Sequence, residues 1–520
     1  MSKRNELPVL LASLAVTGVL LGGGALWIGN AVGGNGSGGP RITNVDAKEM
    51  TRLTLLGDTF SGYSTFRNGD FQETLENAQI EIAYADEFDQ TLRAQQLSEG
   101  KADLIVTTLD QFVKQQPGGK IVGLLDRTVG ADAVVLNTKK YSSLSSLTAL
   151  GELVKQEKAQ GRTLSIAYAA DTPSEYLALV LDTKFDEFNL SDFELKPVAD
   201  ASEAWTLMQD SGENVAIAVL WEPYVTQARQ QGYNVILSSE DAPNAIVDVI
   251  VASDRLIESN PGVISGLLES YYRRIDANAR DATQLQTQVA EDGDLSVEDA
   301  AAIINGIDFF TATETQNWFT DGTLERRIGA TAAVLTLSNR LDAVPENASE
   351  LYTDQFVAAA AENTQTLIEL VRADNPDLAE KLEGRSNTVT ATPVVSDSDI
   401  QSAPAIGNLQ VRGQVGFATG SANLTEEGKA TLNELASEIQ EFNQQTVAVR
   451  VIGHTSRTGS ADLNQALSQQ RASVVVNHLK GMGVKLNILP EGKGFSEPLP
   501  NTDPADSANQ RTEIRLVRVN

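Results

Sequence analysis

The side chains best placed to do chemistry in this 520-residue chain are short polar ones just beyond apolar runs. Thr59, Ser61 and Tyr63 follow Arg52 to Leu56, and Thr108 follows Leu104 to Thr107. Thr172 and Ser174 follow Leu164 to Tyr168, and Trp221 with Glu222 follows Val215 to Leu220. A second group, Thr455, Ser456, Asn464 and Arg471, follows Val447 to Gly453. Hydroxyls, an amide, a carboxylate and one guanidinium can hold a polar solute. Catalysis needs more, a group poised to move a proton or to attack. The chain has no cysteine and two histidines, His454 and His478, so no thiol or imidazole exists before residue 454. No G-x-S-x-G elbow and no G-x-x-x-x-G-K phosphate loop occurs. The expectation is a binding protein and not an enzyme, with no catalytic residue, metal site or cofactor.

The runs that carry these residues read as strands. Arg52 to Leu56, Gln79 to Tyr84, Leu104 to Thr107, Leu164 to Tyr168, Val215 to Leu220 and Val235 to Leu237 are short and apolar, and segments of helical period such as Phe71 to Leu75 and Gln90 to Leu97 separate the first of them. Strands alternating with helices imply parallel βαβ units, whose ligands sit at the carboxyl ends of the strands. Thr172 and Glu175 form a T-x-x-E capping box with Pro173 at the first helical position. That loop reads equally as a capped helix or a ligand loop. Trp221 reads as packing or as a ligand contact.

Taken in order, Gly100-Lys101-Ala102-Asp103, Thr107-Thr108-Leu109-Asp110, Leu125-Asp126 with Gly130-Ala131-Asp132, Thr172-Pro173-Ser174-Glu175-Tyr176 and Trp221-Glu222-Pro223-Tyr224 resemble the nitrate/sulfonate/taurine-type periplasmic binding proteins of ABC importers. The resemblance covers about Lys48 to Pro345. It implies a type II-like two-lobed α/β fold with a solute in the cleft, a small organic or inorganic anion as the solute, and an ABC permease as a partner. Lobe one would hold about residues 48 to 130 and part of 240 to 345, and lobe two the stretch between. Leu351 to Leu382 has helical spacing and reads as one helix, and Ser386 to Asn408, rich in Ser, Thr, Pro and Asp, reads as a linker.

Beyond the linker, Val415 to Phe417 reads as a strand leading to a helix with Leu432, Leu435, Ile439 and Phe442 on its buried stripe. Asn464 and Arg471 are seven residues apart, nearly two turns, so they share a helix face beside the loop at Thr455. Two such groups suit an anionic or zwitterionic ligand. Gly453-His454-Thr455, the run Asn464 to Ala472, Gly492-Lys493-Gly494 with Glu497-Pro498, and Asn509-Gln510-Arg511 closely resemble the OmpA-like domain family. That resemblance implies an α+β βα-sandwich over 409 to 520 that binds the stem peptide of peptidoglycan, with Arg471 on a ligand carboxylate. Where the family has an acidic residue after G-H-T this chain has Ser456, which implies weaker wall binding.

At the N-terminus, Leu7 to Ile28 carries no charge and spans roughly 33 Å as a helix, enough to cross a bilayer. Lys3 and Arg4 precede it, which keeps that end cytoplasmic and exports the rest. The alternative is a signal peptide cleaved before Val32. The expected organisation is an anchor or signal at 1-32, a Gly-rich tether at 33-47, the solute-binding domain at 48-345, a spacer and linker at 346-408 and the OmpA-like domain at 409-520. The expected location is the inner membrane, single-pass, with the bulk in the periplasm and peptidoglycan as a second partner. A net charge of -30 without a basic cluster argues against nucleic acid. Two other readings stand beside the leading one: a structural envelope linker with a degenerate binding fold, and a small-molecule enzyme on the same fold.

Overall fold

The computed structural model describes residues 50–293, 295–384, 393, 395–412, 415–418 and 420–519. The expected anchor and Gly-rich tether lie outside the described residues. Among those described, no helix is long and apolar enough to cross a membrane.

The first sheet starts with β1 (Thr51–Gly57), β2 (Ile80–Asp86), β3 (Leu104–Thr108) and β4 (Gly119–Thr128). The chain then leaves it for β5 (Asp132–Leu136), β6 (Ser165–Ala169), β7 (Glu194–Val198), β8 (Val215–Trp221) and β9 (Asn234–Ser238). It returns through β10 (Val247–Ser253) and β11 (Ile307–Phe309). The strand orders are β11-β4-β10-β3-β1-β2 in lobe one and β7-β6-β8-β5-β9 in lobe two. In each lobe a parallel core made of βαβ units meets a returning antiparallel strand, β10 or β5. Every residue of β3 and β10 is buried, as expected of strands covered by helices on both faces.

Two segments cross between the lobes, Val129 to Ala131 and Ser239 to Ile246, and Ser239 ties them together. Its Oγ accepts from Gly130 N at 2.8 Å, and its own N–H donates to Asp132 O at 2.8 Å. Gly130 holds φ of +95°, a conformation that a side chain at this turn would oppose. Helix Pro261–Arg280 covers lobe one with Ile264, Leu267, Leu268, Tyr271, Tyr272 and Ile275 on its buried stripe.

The single helix expected over Leu351 to Leu382 is two, Ala358–Val371 and Pro376–Leu382. Pro376 cannot donate a backbone hydrogen bond and disfavours helix at the preceding residue, and Asn375 caps the new start by accepting from Leu378 N at 3.1 Å. The reading of a linker through Asn408 is also corrected. Its end contains helix Asp397–Ser402 and β12 (Ala405–Asn408). With β13 (Val447–Gly453), β14 (Ile488–Gly492) and β15 (Thr512–Arg518), β12 forms the C-terminal sheet, ordered β12-β15-β13-β14. Among the described residues Val415 to Phe417 makes no strand of that sheet, and Phe417 forms an isolated bridge with Leu424. Leu432, Leu435, Ile439 and Phe442 are buried.

This domain docks on lobe two. One hydrophobic cluster joins Leu147, Leu150, Phe185 and Phe188 to Ile406, Leu409, Leu432 and Leu516. Backbone bonds run from Asp186 N to Asn408 O at 3.1 Å and from Gln410 N to Lys184 O at 2.8 Å. Gly407 lies under Phe185, where an added Cβ would come within 2.9 Å of the ring, so only glycine allows the approach. Arg518 pairs with the fully buried Asp241 and donates to Val235 O at 3.1 Å.

Candidate functional site

The loop after β1 is held from below by arginines. Arg93, 0% exposed, donates to Val106 O and Glu87 O at 2.8 Å and to Asp58 Oδ2 at 2.9 Å. Arg67 donates to Asp58 O at 2.7 Å. Above them Thr59 is exposed and Ser61 half-buried, while Tyr63 turns inward and donates its hydroxyl to Asp248. Thr108 is buried at the end of β3.

On lobe two, Thr172 caps helix Pro173–Lys184, accepting from Ser174 N at 3.2 Å and donating to Ala169 O at 2.8 Å. Glu175 accepts from Asp171 N at 2.8 Å and pairs with Arg340 at 2.6 Å. Ser174 is fully buried and its Oγ has no partner among the described residues. Trp221 packs half-buried against the cluster of Ala133 and Leu220, and Glu222 accepts from Thr226 N at 3.0 Å and Thr226 Oγ1 at 2.9 Å. Among the described residues, no hydrogen bond joins one of these eight side chains in lobe one to one in lobe two. The lobes meet through others: Lys114 with Asp171, Arg340 with Glu175, and Tyr176 with Thr331 at 3.4 Å.

The unexpected feature is acidic. Asp110, Asp126, Asp132 and Asp248 are all buried at or near strand ends. Burial pushes Asp126 up to about 8, with help from the charge of Asp308, and pushes Asp132 up to about 7, with help from Glu222. Asp248 is raised by burial and then by Asp126, and Asp110 by burial. The legible signal was a carboxylate inside an otherwise apolar strand, as in Ile121 to Asp126 and Val247 to Val251. Arg127 is no counter-ion for the pair, because Asp308 at 2.6 Å and Glu314 at 2.8 Å engage it.

In the C-terminal domain Thr455, Ser456, Asn464 and Arg471 are all buried. Gln510 bridges two of them, donating to Ser456 Oγ at 3.2 Å and accepting from Arg471 Nη1 at 3.5 Å. Arg471 also donates to Ser421 O at 3.0 Å and stacks 4.9 Å from the Phe417 ring, with no carboxylate partner among the described residues. Burial lowers its pKa. Asn464 spends its amide donors on Thr458 O at 2.8 Å and Ser460 O at 3.0 Å, so it shapes the loop. His454 is 1% exposed, with Nε2 3.3 Å from Glu513 Oε1. Burial opposes the ionisation of Glu513, but His454 and Arg511 bring its pKa down to about 2.

The model of the OmpA family matches residues 416–512, so this segment is an OmpA-type domain, preceded by a two-lobed α/β region. Outer membrane protein A of Shimwellia blattae is 32% identical over 145 residues, 28% of this chain and 60% of that protein. The probable lipoprotein YiaD of Escherichia coli (strain K12) is 38% identical over 111 residues, 21% of this chain and 50% of that protein. The chain spans about half the length of these curated relatives. Among solved structures, the periplasmic aliphatic sulphonate binding protein SsuA of Escherichia coli aligns with a TM-score of 0.46 at 14% identity, covering 58% of this chain and 92% of that one.

Proposed function

We propose that this protein is a cell-envelope solute-binding protein, held at the inner membrane by its N-terminal segment and docked on peptidoglycan by its C-terminal domain. The observation that carries it is the pair of α/β lobes joined by two crossing segments tied at Ser239, the arrangement that lets a cleft open and close on a solute. The absence of thiol and imidazole before residue 454 supports binding over catalysis. On the wall side, Arg471 is a nearly buried guanidinium without an anion, and a ligand carboxylate would complete it. Thr59, Ser61, Thr108, Thr172, Ser174, Trp221 and Glu222 line the solute path in this reading. An ABC permease is its natural membrane partner. The small anion that the family resemblance implies would have to be held by hydroxyls and helix N-terminal N–H groups, because Arg93 and Arg127 are engaged.

A second reading, a structural linker with a degenerate cleft, is favoured by the cross-lobe pairs of Lys114 with Asp171 and Arg340 with Glu175. Two measurements separate the readings. A bound solute must raise the unfolding temperature of the full chain by mass action. The full chain should also sediment with peptidoglycan, less so as Arg471→Ala and about fivefold more tightly as Ser456→Asp, which adds roughly 1 kcal/mol of charged contact. Failure of wild type and Ser456→Asp alike to sediment removes the wall-binding half of the proposal.

A further inference from the structure

The cations that border lobe one are engaged by carboxylates elsewhere: Arg93 by Asp58, Arg127 by Asp308 and Glu314, Lys114 by Asp171. The acids at its centre have no such partners. Asp248 is the cross-strand partner of Thr108 on β3 and of Asp126 on β4, so the three side chains stand in a row on one face of the sheet. Asp248 receives the Tyr63 hydroxyl. Asp126 is 0% exposed, and neither of its oxygens has a hydrogen-bond partner among the described residues. A second, non-acidic group makes the same point. The Tyr271 hydroxyl, on helix Pro261–Arg280, is also fully buried and without a partner, and it lies close enough to feel the charges of Asp126 and Asp248.

Buried polar groups are nearly always paired, so three unmet polar atoms converging on one place mark hydrogen bonds to be supplied from outside. Two of the three are carboxylate oxygens, which can only accept when ionised. Gly62 covers them directly, since a Cβ there would stand 2.5 Å from Asp126 Oδ2. The row thus lies immediately under the turn Ser61–Tyr63 that closes the loop after β1. Once the pair is ionised, an anion beside it would meet like charge, strongest where water is excluded.

We propose that the cleft takes a cationic solute with N–H donors, an amine or a guanidine, whose charged head lies over Asp126 and Asp248 when the turn Ser61–Tyr63 is displaced. This inference rests on the solute-binding reading above. The head's N–H groups meet the two free oxygens of Asp126, the carboxylate that Tyr63 releases and the Tyr271 hydroxyl. The groups facing the pair are Asp308 from β11, Asp58 and Asp110 from the strand-end loops, and Tyr63 and Tyr271, with Arg93 and Arg127 turned to their own partners. A bound cation relieves the mutual repulsion of these acids. It also requires Asp126 to ionise, so binding near neutral pH releases protons and tightens as pH rises towards about 8.

The test titrates the full chain with putrescine, agmatine and arginine, and in parallel with nitrate, methanesulfonate and bicarbonate, at pH 6.5 and 8.5 and constant ionic strength. The expected result is amine or guanidine binding that raises the unfolding temperature, gives a heat dependent on buffer ionisation, and is at least tenfold tighter at the higher pH. Asp126→Asn should lose it tenfold or more. Tyr271→Phe should weaken it severalfold, and it keeps the test open if Asp126→Asn does not fold. Stabilisation by an anion while the amines stay silent overturns this proposal and leaves the solute-binding reading intact. Silence from both sets counts against both.

Discussion

Asp126 is the residue at which stability and recognition pull against each other. A carboxyl raised to about 8 in the folded chain binds a proton that the unfolded chain releases near the ordinary carboxylate range of about 4. Between those limits the native state holds more protons, so its contribution to stability is full at low pH and is lost as pH rises through the window. Asp126→Asn, which cannot ionise, should therefore flatten the fall in unfolding free energy between about pH 4 and 8. At pH 8.5 it should be more stable than wild type by about 2 kcal/mol or more, each unit of displacement being worth about 1.4 kcal/mol. Chemical denaturation across that range checks it, and equal pH profiles for both proteins would show that Asp126 is ionised without cost. In the C-terminal domain Gln510 bridges Ser456 and Arg471 with a single amide.

At the scale of elements, the helix Pro173–Lys184 shows how one residue type serves two masters. Thr172 is spent on the cap, with both its acceptor and its donor committed to backbone. Thr172→Ala should lower the unfolding free energy by about 1 kcal/mol, the usual worth of an N-cap. An unchanged stability with weaker solute binding would instead make it a ligand residue alone. The strand ends were legible because β3 and β8 are unbroken apolar runs, and the start of this helix because Thr172, Pro173 and Glu175 sit at capping positions. The break at Pro376 is masked in the sequence because Phe356, Ala360, Leu367 and Val371 keep helical spacing up to it. β12 was overlooked for a different reason. Ala405–Asn408 is four residues long with two of them fully covered, and its strand character comes from hydrogen bonds to β15, more than a hundred residues away.

For the molecule as a whole, the proposed solute-binding cycle would carry lobe two and the C-terminal domain together. Their shared cluster, the backbone bonds at Asn408 and the Arg518 pair join those two parts, so in that reading lobe one is the part that swings about Ser239. Arg327 of lobe one reaches Glu441 at 3.8 Å, a contact that opening of the cleft should alter. Arg518→Met strands Asp241 in the interior and should cost about 3 kcal/mol. Calorimetry should then resolve a separate, earlier transition for the C-terminal domain, and Arg518→Met with Asp241→Asn should recover part of the loss. A single transition at the wild-type temperature would mean that the pair holds nothing together.

The sequence by itself determined what depends on local pattern: an α/β body, a following α+β domain, the residues at the strand ends and the Asn464 and Arg471 face, because period, caps and short motifs are written within a few turns of chain. Only the tertiary structure decided which of those residues are free. The Tyr63 hydroxyl reads as free until the fold brings Asp248 beneath it, and the Glu222 carboxylate until Thr226 takes both its oxygens. The charge of the cleft was likewise not additive along the chain. Arg93 and Arg127 are neutralised by partners 35 and 181 residues distant, whereas Asp126 and Asp248 meet across neighbouring strands with no cation between them. Pairing of charges is a property of distance in space, and that is what the sequence leaves unwritten.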